Sequence, residues 1–505
     1  MLNSIDFTAL KSLFEFIEYD PLIFGTSLFL FLFAGFLLVH AVLKVNYKLQ
    51  LYWLLLFSLF FYYKTSGIFV ILLISTALIN YLFGIWIQKS GEGTLRKIVL
   101  SLALLVNLGI LAYFKYANFF ITTVNDLGGT EWSVLDIIIP LGISFYTFKS
   151  LTYIFDIYYE MMEPEYSFFE FLLFVTFFPN TISGPIDRAR IFLPQVRESN
   201  PITNEVLGKA VLLISLGLIK KYAIADYISL NFVDRVFESS ARFTGVENLL
   251  AIYGYTLQIF CDFSGYTDMA IGISMLFGFR LMDNFNYPFK AKSVADFWRR
   301  WHISLSTWLQ DYLFKPMQMS FRHMKIVGNA LAIMLTFVLC GLWHGSTWGF
   351  VFWGFLHGFF MSFSLLTKKY REKLIALVGL KNTRFLGFIQ IFITFHLIAI
   401  AFVFFHPPVY PITSSIDQAM IMFTQITEYF HPGVFVQFIE GYQGVYIMMV
   451  IGFIFNFLPS SLEKYTEKYI IKSPLVVKGL ILAIVIYLVA QVKSADLQPF
   501  IYFQF

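Results

Sequence analysis

Charged residues are scarce in this sequence. Asp, Glu, Lys and Arg make up 13% of the 505 residues, against about 25% in an ordinary soluble domain. Hydrophobic residues reach 58% and aromatic residues 20%, more than the core of a soluble protein can hide. A bilayer solvates apolar side chains that face outward, so the composition excludes a soluble protein and predicts an integral membrane protein. The net charge of +4 is too small to indicate a nucleic-acid partner.

Cysteine is nearly absent, since Cys261 and Cys340 are the only two. Both lie in apolar runs, which predicts neither a disulfide framework nor a CxxC metal site. A cleavable signal peptide is not expected either, because residues 1–20 hold four acidic residues against Lys11 alone. We interpret residues 1–20 as an interfacial amphipathic segment. The sequence also lacks the patterns of a metalloprotease HExxH, a P-loop and a GxSxG nucleophile elbow.

Long apolar runs predict about eleven to twelve transmembrane helices, so the expected fold class is an all-α polytopic membrane protein. The predicted spans lie near residues 22–43, 49–63, 66–87, 98–115, 137–155, 210–228, 248–278, 327–345, 347–366, 385–405, 442–458 and 475–491. No repeat or soluble domain is evident, so residues 1–505 are expected to form a single membrane-embedded domain. Residues 168–185 are apolar but end early at Pro179, Gly184 and Pro185. Broken backbone at membrane depth requires cover from protein or from a water-filled cavity, and we predict a re-entrant segment there.

Basic residues are distributed unevenly between the predicted loops. The loops placed on the cytoplasmic side hold 26 of the 36 Lys and Arg residues, whereas residues 406–441 hold none. Cytoplasmic loops are the ones that carry excess Lys and Arg. We therefore predict that residues 406–441 and both termini face the extracytoplasmic side.

The longest basic loop, residues 280–325, contains a predicted amphipathic helix over residues 296–313. At 100° per residue its apolar stripe consists of Phe297, Trp298, Trp301, Leu305, Trp308, Leu309 and Tyr312. This pattern is typical of a helix that lies in the membrane interface or lines a polar cavity. His302 falls at the boundary between the apolar stripe and the polar face.

Polar residues within apolar runs are costly and therefore point to function. His344 follows a long apolar run, with Gly345 beside it for substrate approach and Trp343 and Trp348 as candidate walls. A membrane-buried imidazole stays neutral, and the neutral form acts as a general base toward a hydroxyl. The alternative is a histidine at the end of a span that bonds only to backbone.

Other polar residues carry open alternatives. His302 either takes part in chemistry or only borders the amphipathic helix. His357 lies 13 residues beyond His344, roughly on the opposite face of a continuous helix, where a structural role is expected. Asp262 and Asp268 either belong to a structural polar network or line an acceptor channel. The neighbouring Lys220 and Lys221 pair with acidic residues, snorkel or face a cavity.

Seven strings in chain order resemble the membrane-bound O-acyltransferases, and within them a bacterial branch similar to the alginate O-acetyltransferases. These strings are LAYFKYANF (111–119), IPLGISFYTFKSLTYIFDIY (139–158), FPNTISGPIDR (178–188), DFSGYTDMAIG (262–272), DFWRRWHISLSTWLQDY (296–312), LWHGSTWGFVFWGFLH (342–357) and PFIYFQF (499–505). The resemblance covers residues 110–360 closely, which is the expected catalytic core. Residues 314–324 depart from many alginate-type members and are equally similar to the D-alanyl-transfer branch.

The resemblance implies several expectations. The family's essential histidine falls on His344 and its second polar position on His302. The implied fold surrounds a central funnel or tunnel in a bacterial cell membrane. The implied donor is acetyl-CoA or an acyl-carrier thioester on the cytoplasmic side, with no bound cofactor and no metal. The implied acceptor is an extracytoplasmic polysaccharide or a secreted SGNH-type acetyltransferase.

These expectations combine into a mechanism with His344 as general base and His302 orienting either substrate. Arg299 and Arg300 would hold the phosphates of the donor, or else face lipid headgroups. Trp343, Asp262 and Asp268 are further candidates for substrate binding. The acceptor stays open among alginate, other exopolysaccharides, peptidoglycan and teichoic acid. A transporter of polysaccharide or lipid-linked sugar, a non-catalytic scaffold for a secreted acetyltransferase and a zinc site at His302, His344 and His357 are the alternatives.

Overall fold

The computed structural model describes residues 13–17, 21–43, 46–165, 167–198, 201–407, 414–492 and 500. Every regular element in these ranges is helical, which confirms the all-α fold class. The predicted interfacial segment, residues 1–20, lies mostly outside the described residues, and so does most of the terminal string 499–505. The chain divides into two compact units, residues 1–203 with 273–282 and residues 204–272 with 283–505.

In its described residues, the first unit contains eight α-helices. They are α1 (Ser27–Val42), α2 (Tyr47–Ser66), α3 (Val70–Lys89), α4 (Thr94–Leu111), α5 (Ala117–Gly128), α6 (Ile143–Tyr158), α7 (Phe168–Thr176) and α8 (Ala189–Arg197). Local sequence sets the ends of α2. The Asn46 side chain accepts hydrogen bonds from the backbone N–H groups of Lys48 and Leu49, the second and third residues of the helix, and Gly67 ends the helix at a φ of 58°. Such caps satisfy backbone groups that a helix leaves unpaired.

The second unit contains the remaining helices, apart from the last three residues of α12, which belong to the first unit. They are α9 (Asn204–Leu218), α10 (Asp226–Ile228), α11 (Asp234–Glu238), α12 (Gly245–Met275), α13 (Val294–Trp298), α14 (Ile303–Leu309), α15 (Lys315–Ser320), α16 (Lys325–His344), α17 (Trp348–Leu366), α18 (Lys368–Leu377), α19 (Arg384–Val403), α20 (Ser415–Glu428), α21 (Val434–Gly441), α22 (Gln443–Phe457), α23 (Ser460–Lys472) and α24 (Leu475–Val492). Stretches of wider π-helix join several of these, including Ile219–Ala225 and Ser229–Val233 between α9 and α11.

Within the described residues, six helical segments are long and apolar enough to cross a bilayer, or seven if α21 and α22, which meet at 95°, count as one. The sequence predicts eleven to twelve spans. Part of the difference is one of counting. Tyr47–Lys89 is a single 43-residue segment, about 65 Å of helix or twice the hydrocarbon thickness, and it contains two predicted spans. Other predicted spans are shorter helices, such as the 16-residue α6 and the 15-residue α22.

Residues 168–185, where the sequence predicts a re-entrant segment, contain one short helix followed by irregular backbone. The nine-residue α7 is about 14 Å long, less than half the thickness of the hydrocarbon layer. From Phe177 to Arg188 the backbone is not helical, and every residue there is buried. Protein therefore covers this broken backbone, which is the condition that a re-entrant segment would have to meet.

A buried polar network stabilises the broken segment. Lys149 Nζ donates to Asn180 Oδ1 at 2.8 Å, and Asn180 Nδ2 donates to Asp187 Oδ2 at 2.7 Å. The other Asp187 oxygen accepts from the backbone N–H of Met282 at 2.9 Å. All of these side chains are at most 2% exposed, and such mutual pairing is what makes buried polar groups tolerable.

In the second unit, α16 and α17 pack backbone against backbone. A Cβ on Gly341 would lie 2.2 Å from the carbonyl oxygen of Phe350, and one on Gly354 would lie 2.2 Å from that of Phe337. Only glycine permits this approach at either position, as at close helix crossings in membranes. The close crossing fixes the position of His344, the last residue of α16, against α17.

Candidate active site

His344 ends α16 and is 2% exposed. Its imidazole is enclosed by aromatic rings, with centroid distances of 4.8 Å to Trp343, 5.0 Å to Trp353 and 5.2 Å to Phe405. Trp353 lies on α17, so the close helix crossing brings it to the histidine. The sequence predicted the burial of His344 and the Trp343 wall, but not Trp353 or Phe405.

Two details of the predicted His344 surroundings are wrong. Gly345 does not leave space beside the imidazole for a substrate, because a Cβ there would lie 2.1 Å from the ring of Phe350. The glycine is required because the Phe350 ring packs directly on it. Trp348 is 54% exposed, so its side chain does not enclose the site. A glycine next to a histidine indicates close approach, but only the fold shows which group approaches.

His302 lies at a sharp break in the predicted amphipathic helix. The expected continuous helix over residues 296–313 is two helices, α13 and α14, and His302 between them adopts the left-handed conformation with φ 43° and ψ 53°. For a residue other than glycine this conformation costs about 1–3 kcal/mol and persists only where surrounding contacts enforce it. The apolar stripe is nonetheless fully buried, as expected from the periodicity.

The break brings the His302 side chain inward. It is fully buried, with its ring edge-on to Phe263 at 4.6 Å and its centroid 6.5 Å from that of His344. His302 lies outside the candidate spans, and burial lowers its pKa from 6.5 to about 3. The structure therefore places two buried histidines of the predicted site side by side, and His302 is a neutral imidazole at physiological pH.

Asn284 anchors the turn at His302, although no sequence pattern singles it out. Its backbone carbonyl accepts a 3.0 Å hydrogen bond from Ile303 N, the first amide of α14. Its side chain caps the next amide, Ser304 N, at 3.1 Å. The His302 side chain, which stands at the position of the usual helix cap, makes no capping bond itself. A residue 18 positions upstream thus does the work of an N-cap.

His357 belongs to the same aromatic cluster. Trp298 Nε1 donates a 3.1 Å hydrogen bond to His357 Nδ1, and Trp353 lies 4.7 Å from the His357 ring. The expectation that His357 points away from His344 assumed one continuous helix. Instead α16 ends at His344 and α17 begins at Trp348, so both histidines contact Trp353. The bond from Trp298 supports a structural role for Nδ1.

The predicted cationic residues differ in their surroundings. Arg299 is exposed, with Nε donating to the carbonyl of Ala295 at 3.3 Å. Arg300 is partly buried and pairs with Asp296 at 3.1 Å, and it also donates to the Asn286 carbonyl. Arg299 thus keeps more of its guanidinium available for an anion than Arg300.

The two predicted intramembrane carboxylates are both paired with lysines. Lys221 Nζ lies 2.5 Å from Asp262 and 2.8 Å from Asp226, and Lys220 Nζ lies 2.7 Å from Asp268. These pairs favour the structural-network alternative for Asp262 and Asp268. Among the described residues, no group of three or more His, Cys, Asp or Glu side chains is placed to hold a metal ion.

Comparison with known proteins gives consistent matches. A family model, described as MBOAT, membrane-bound O-acyltransferase family, matches residues 162–406, which include His302 and His344. The chain is 33% identical over 434 residues to the peptidoglycan O-acetyltransferase of Helicobacter pylori, covering 78% of this chain and 79% of that protein. It is 37% identical over 343 residues to the "Probable alginate O-acetylase AlgI" of Azotobacter vinelandii, covering 67% of each chain.

A third relative is named for the transfer of D-alanyl groups instead of acetyl groups. The teichoic acid D-alanyltransferase of Bacillus subtilis is 33% identical over 278 residues, covering 52% of this chain and 68% of that protein. The resemblance stated from the seven strings is therefore confirmed, including its similarity to more than one branch. With its apolar helices, its buried histidines and these relatives, the chain belongs to the membrane-bound O-acyltransferase family and is a multi-pass membrane acyltransferase.

Proposed function

We propose that this protein transfers an acyl group, most simply acetyl, from a cytoplasmic thioester to a hydroxyl group on the extracytoplasmic side of the cell membrane. The observation that carries the proposal is the pair of buried imidazoles, His302 and His344, with centroids 6.5 Å apart. A thioester donor such as acetyl-CoA is charged, and a polysaccharide is large, so neither crosses lipid. A protein in which the two meet at one buried histidine needs to move only the acyl group.

The chemistry requires one base. His344 takes the proton from the acceptor hydroxyl while the oxygen attacks the thioester carbonyl. The carbon–sulfur bond then breaks, and the thiolate leaves and takes the proton back from the imidazolium. The products are an ester and a free thiol. General-base catalysis of this kind contributes about 10²–10⁴-fold, and orientation within a dry site adds to it.

The substrates follow from chemistry and from the relatives. The exposed Arg299, with Arg300 beside it, is the proposed contact for the donor phosphates, because a guanidinium binds phosphate through charged hydrogen bonds. The relatives' names specify peptidoglycan, alginate and teichoic acid, and we propose an extracytoplasmic polysaccharide or related polymer of this kind as the acceptor. Passage of the acyl group through a secreted SGNH-type acetyltransferase is a variant of the same proposal, as is an inner-membrane location with both termini outside.

The test is substitution of His344 in purified protein. His344→Gln keeps much of the volume and a hydrogen bond but cannot take a proton near pH 7, so we expect transfer to fall by at least about 10²-fold. His302→Ala should slow transfer without abolishing it. His40→Gln is the matched control, because His40 is also buried but lies in α1 of the first unit.

Two outcomes would count against the proposal. Near-normal turnover in His344→Gln would exclude general-base catalysis by this residue and favour the transporter and scaffold alternatives. An equal loss in His40→Gln would show that the effect reports folding instead of chemistry.

A further inference from the structure

The side chain of Asn284 can have only one orientation. Its Oδ1 lies 3.1 Å from the backbone nitrogen of Ser304, and it also accepts from Ser304 Oγ at 2.6 Å. A backbone N–H only donates, so the group that faces it must be the amide oxygen and not the amide nitrogen. The opposite end agrees, since Nδ2 faces Thr267 Oγ1 at 3.4 Å. Asn284 is 1% exposed, which leaves no room for exchange with solvent.

This orientation determines the proton on His302. His302 Nδ1 lies 3.3 Å from the same Asn284 Oδ1. Two lone pairs at that distance in a buried site would repel, so Nδ1 must carry the hydrogen and donate it. A neutral imidazole has one N–H, and its other nitrogen, Nε2, is then a hydrogen-bond acceptor. The left-handed backbone of His302 is part of the same arrangement, because Asn284 binds the two amides that follow it.

We propose that Asn284 is a positioning residue that fixes His302 in the Nδ1–H tautomer, so that His302 presents the lone pair of Nε2 to a hydroxyl of the acceptor other than the one whose proton His344 takes. This inference rests on the proposed function, because it assigns His302 its part in that reaction. Nε2 without a proton accepts a hydrogen bond from O–H and cannot donate one to the thioester carbonyl. Of the two orienting roles open to His302, holding the acceptor through such a neighbouring hydroxyl therefore follows, and polarising the donor does not.

The neighbouring His357 shows that tautomers in this cluster are set individually. Its Nδ1 accepts from Trp298 Nε1, so its hydrogen lies on Nε2, the reverse of His302. In the same unit, Nδ1 of His302 therefore donates a hydrogen bond, whereas Nδ1 of His357 accepts one. Neither tautomer follows from the sequence, because each depends on a partner distant in the chain.

The test is nitrogen-15 NMR of the full-length protein in lipid bilayers, with only histidine labelled. The chain has eight histidines, and the His302 signals are assigned by their loss in His302→Gln. We expect the wild-type protein to show a protonated Nδ1 and an unprotonated Nε2 at His302. Asn284→Asp keeps an acceptor oxygen in place and should keep the proton on Nδ1. Asn284→Leu removes the acceptor and should give a mixture of tautomers or the Nε2–H form.

The matched control is Asn248→Leu. Asn248 is also a fully buried asparagine of the second unit, and its Nδ2 donates to the carbonyls of Ser240, Phe243 and Thr244. Its loss should impair stability while leaving the His302 signals unchanged. A wild-type spectrum with the proton on Nε2 would overturn the proposal, and so would an Asn284→Leu spectrum identical to wild type. If Asn284→Leu does not fold, the wild-type and Asn284→Asp spectra still show which nitrogen of His302 carries the proton.

Measurements of acyl transfer distinguish a failure of the tautomer proposal from a failure of the proposed function. With acetyl-CoA as the donor probe, a loss of transfer in His344→Gln together with an Nε2–H His302 would leave the function standing and refute the tautomer. An Nδ1–H His302 together with full transfer in both His344→Gln and His302→Ala would refute the function while the tautomer held. Asn284→Asp should transfer more than tenfold faster than Asn284→Leu.

Discussion

At the scale of single residues, the site depends on a histidine held in two unfavourable states at once. His302 has a left-handed backbone and a fully buried side chain. Each state costs free energy, and each is maintained by contacts that belong to other elements, chiefly Asn284 and the ring of Phe263. Strain of this kind is typical of residues whose position matters for chemistry.

The burial of His302 predicts a pH dependence of stability. Its pKa is about 3 in the folded protein and about 6.5 in an unfolded chain. Below pH 6.5 the unfolded state binds a proton that the folded state does not, so this histidine favours unfolding increasingly as the pH falls toward 3. The slope for one such group is at most about 1.4 kcal/mol per pH unit.

Thermal unfolding in detergent at pH 7, 6 and 5 measures this effect. Wild type should lose more stability than His302→Gln over that range, because glutamine takes up no proton. Parallel losses in the two proteins would show that His302 is protonated in the folded state or solvated, contrary to its burial.

At the scale of elements, two glycines determine the distance between α16 and α17. Gly341 and Gly354 lie in contact through their Cα atoms, since a Cβ on either would come within 3.1 Å of the other's Cα. His344 on one helix and Trp353 on the other are positioned by this crossing. The glycines therefore affect the site without touching it.

Gly341→Ala should disturb both stability and transfer. The added methyl would overlap a backbone oxygen that cannot rotate away, so we expect a loss of about 1–3 kcal/mol and a fall in transfer rate. Gly479→Ala in α24 is the matched control, because a Cβ there meets none of the described atoms within 4 Å. It should be neutral or stabilise by up to about 1 kcal/mol. Equal effects of the two variants on thermal unfolding would contradict the close crossing.

A π-helical stretch takes part in a buried cluster of one lysine and two carboxylates. Lys221 lies in the π-helical stretch Ile219–Ala225, and Asp226 begins α10 directly after it. Asp262 comes from the long helix α12, so the ion pair joins two segments. One lysine serves two carboxylates there, and all three side chains are at most 12% exposed.

Lys221→Met should destabilise the protein by about 3–5 kcal/mol, because it leaves buried carboxylates without their cation. Lys220→Met should cost less, since the Lys220–Asp268 pair is more exposed. Adding Asp262→Asn to Lys221→Met should restore part of the loss. The yield of folded protein and its thermal midpoint measure this. Normal stability with reduced transfer in Lys221→Met would instead support an acceptor channel at Asp262.

At the scale of the whole molecule, the uneven distribution of Lys and Arg predicts which segments face the cytoplasm. Residues 406–441 contain no basic residue, and the part of them that the structure describes includes the helices α20 and α21. Residues 367–384 contain six basic residues. The positive-inside rule places the first segment outside and the second inside.

Cysteine labelling in intact cells tests this topology. The two native cysteines are buried, so the wild-type background should be low. An impermeant reagent should modify Glu428→Cys and spare Lys381→Cys, both of which replace exposed residues. Labelling after permeabilisation provides the control for reactivity at residue 381. The reverse pattern would contradict the predicted sidedness, and with it the direction proposed for acyl transfer.

The sequence by itself determined that the protein lies in a membrane, its fold class and its family. Composition alone requires a bilayer, since 58% hydrophobic residues cannot be buried in one soluble core. The broken apolar run at residues 168–185 predicted the short buried segment, because proline and glycine act locally. The sequence also singles out His344, a polar residue at the end of an apolar run, and His302, at the boundary of an amphipathic stripe, and both lie in strings that resemble the family.

Only the tertiary structure decided how these residues meet. The amphipathic helix over residues 296–313 was expected to be continuous because its periodicity is unbroken, yet Asn284 holds His302 in a turn. Helical spacing predicts that His357 lies on the far side from His344, but the spacing does not extend across the end of α16. Asn284, Trp353 and Phe405 carry no local signal. Periodicity and composition report the neighbours of a residue along the chain, whereas burial, tautomer and backbone strain depend on residues that only folding brings into contact.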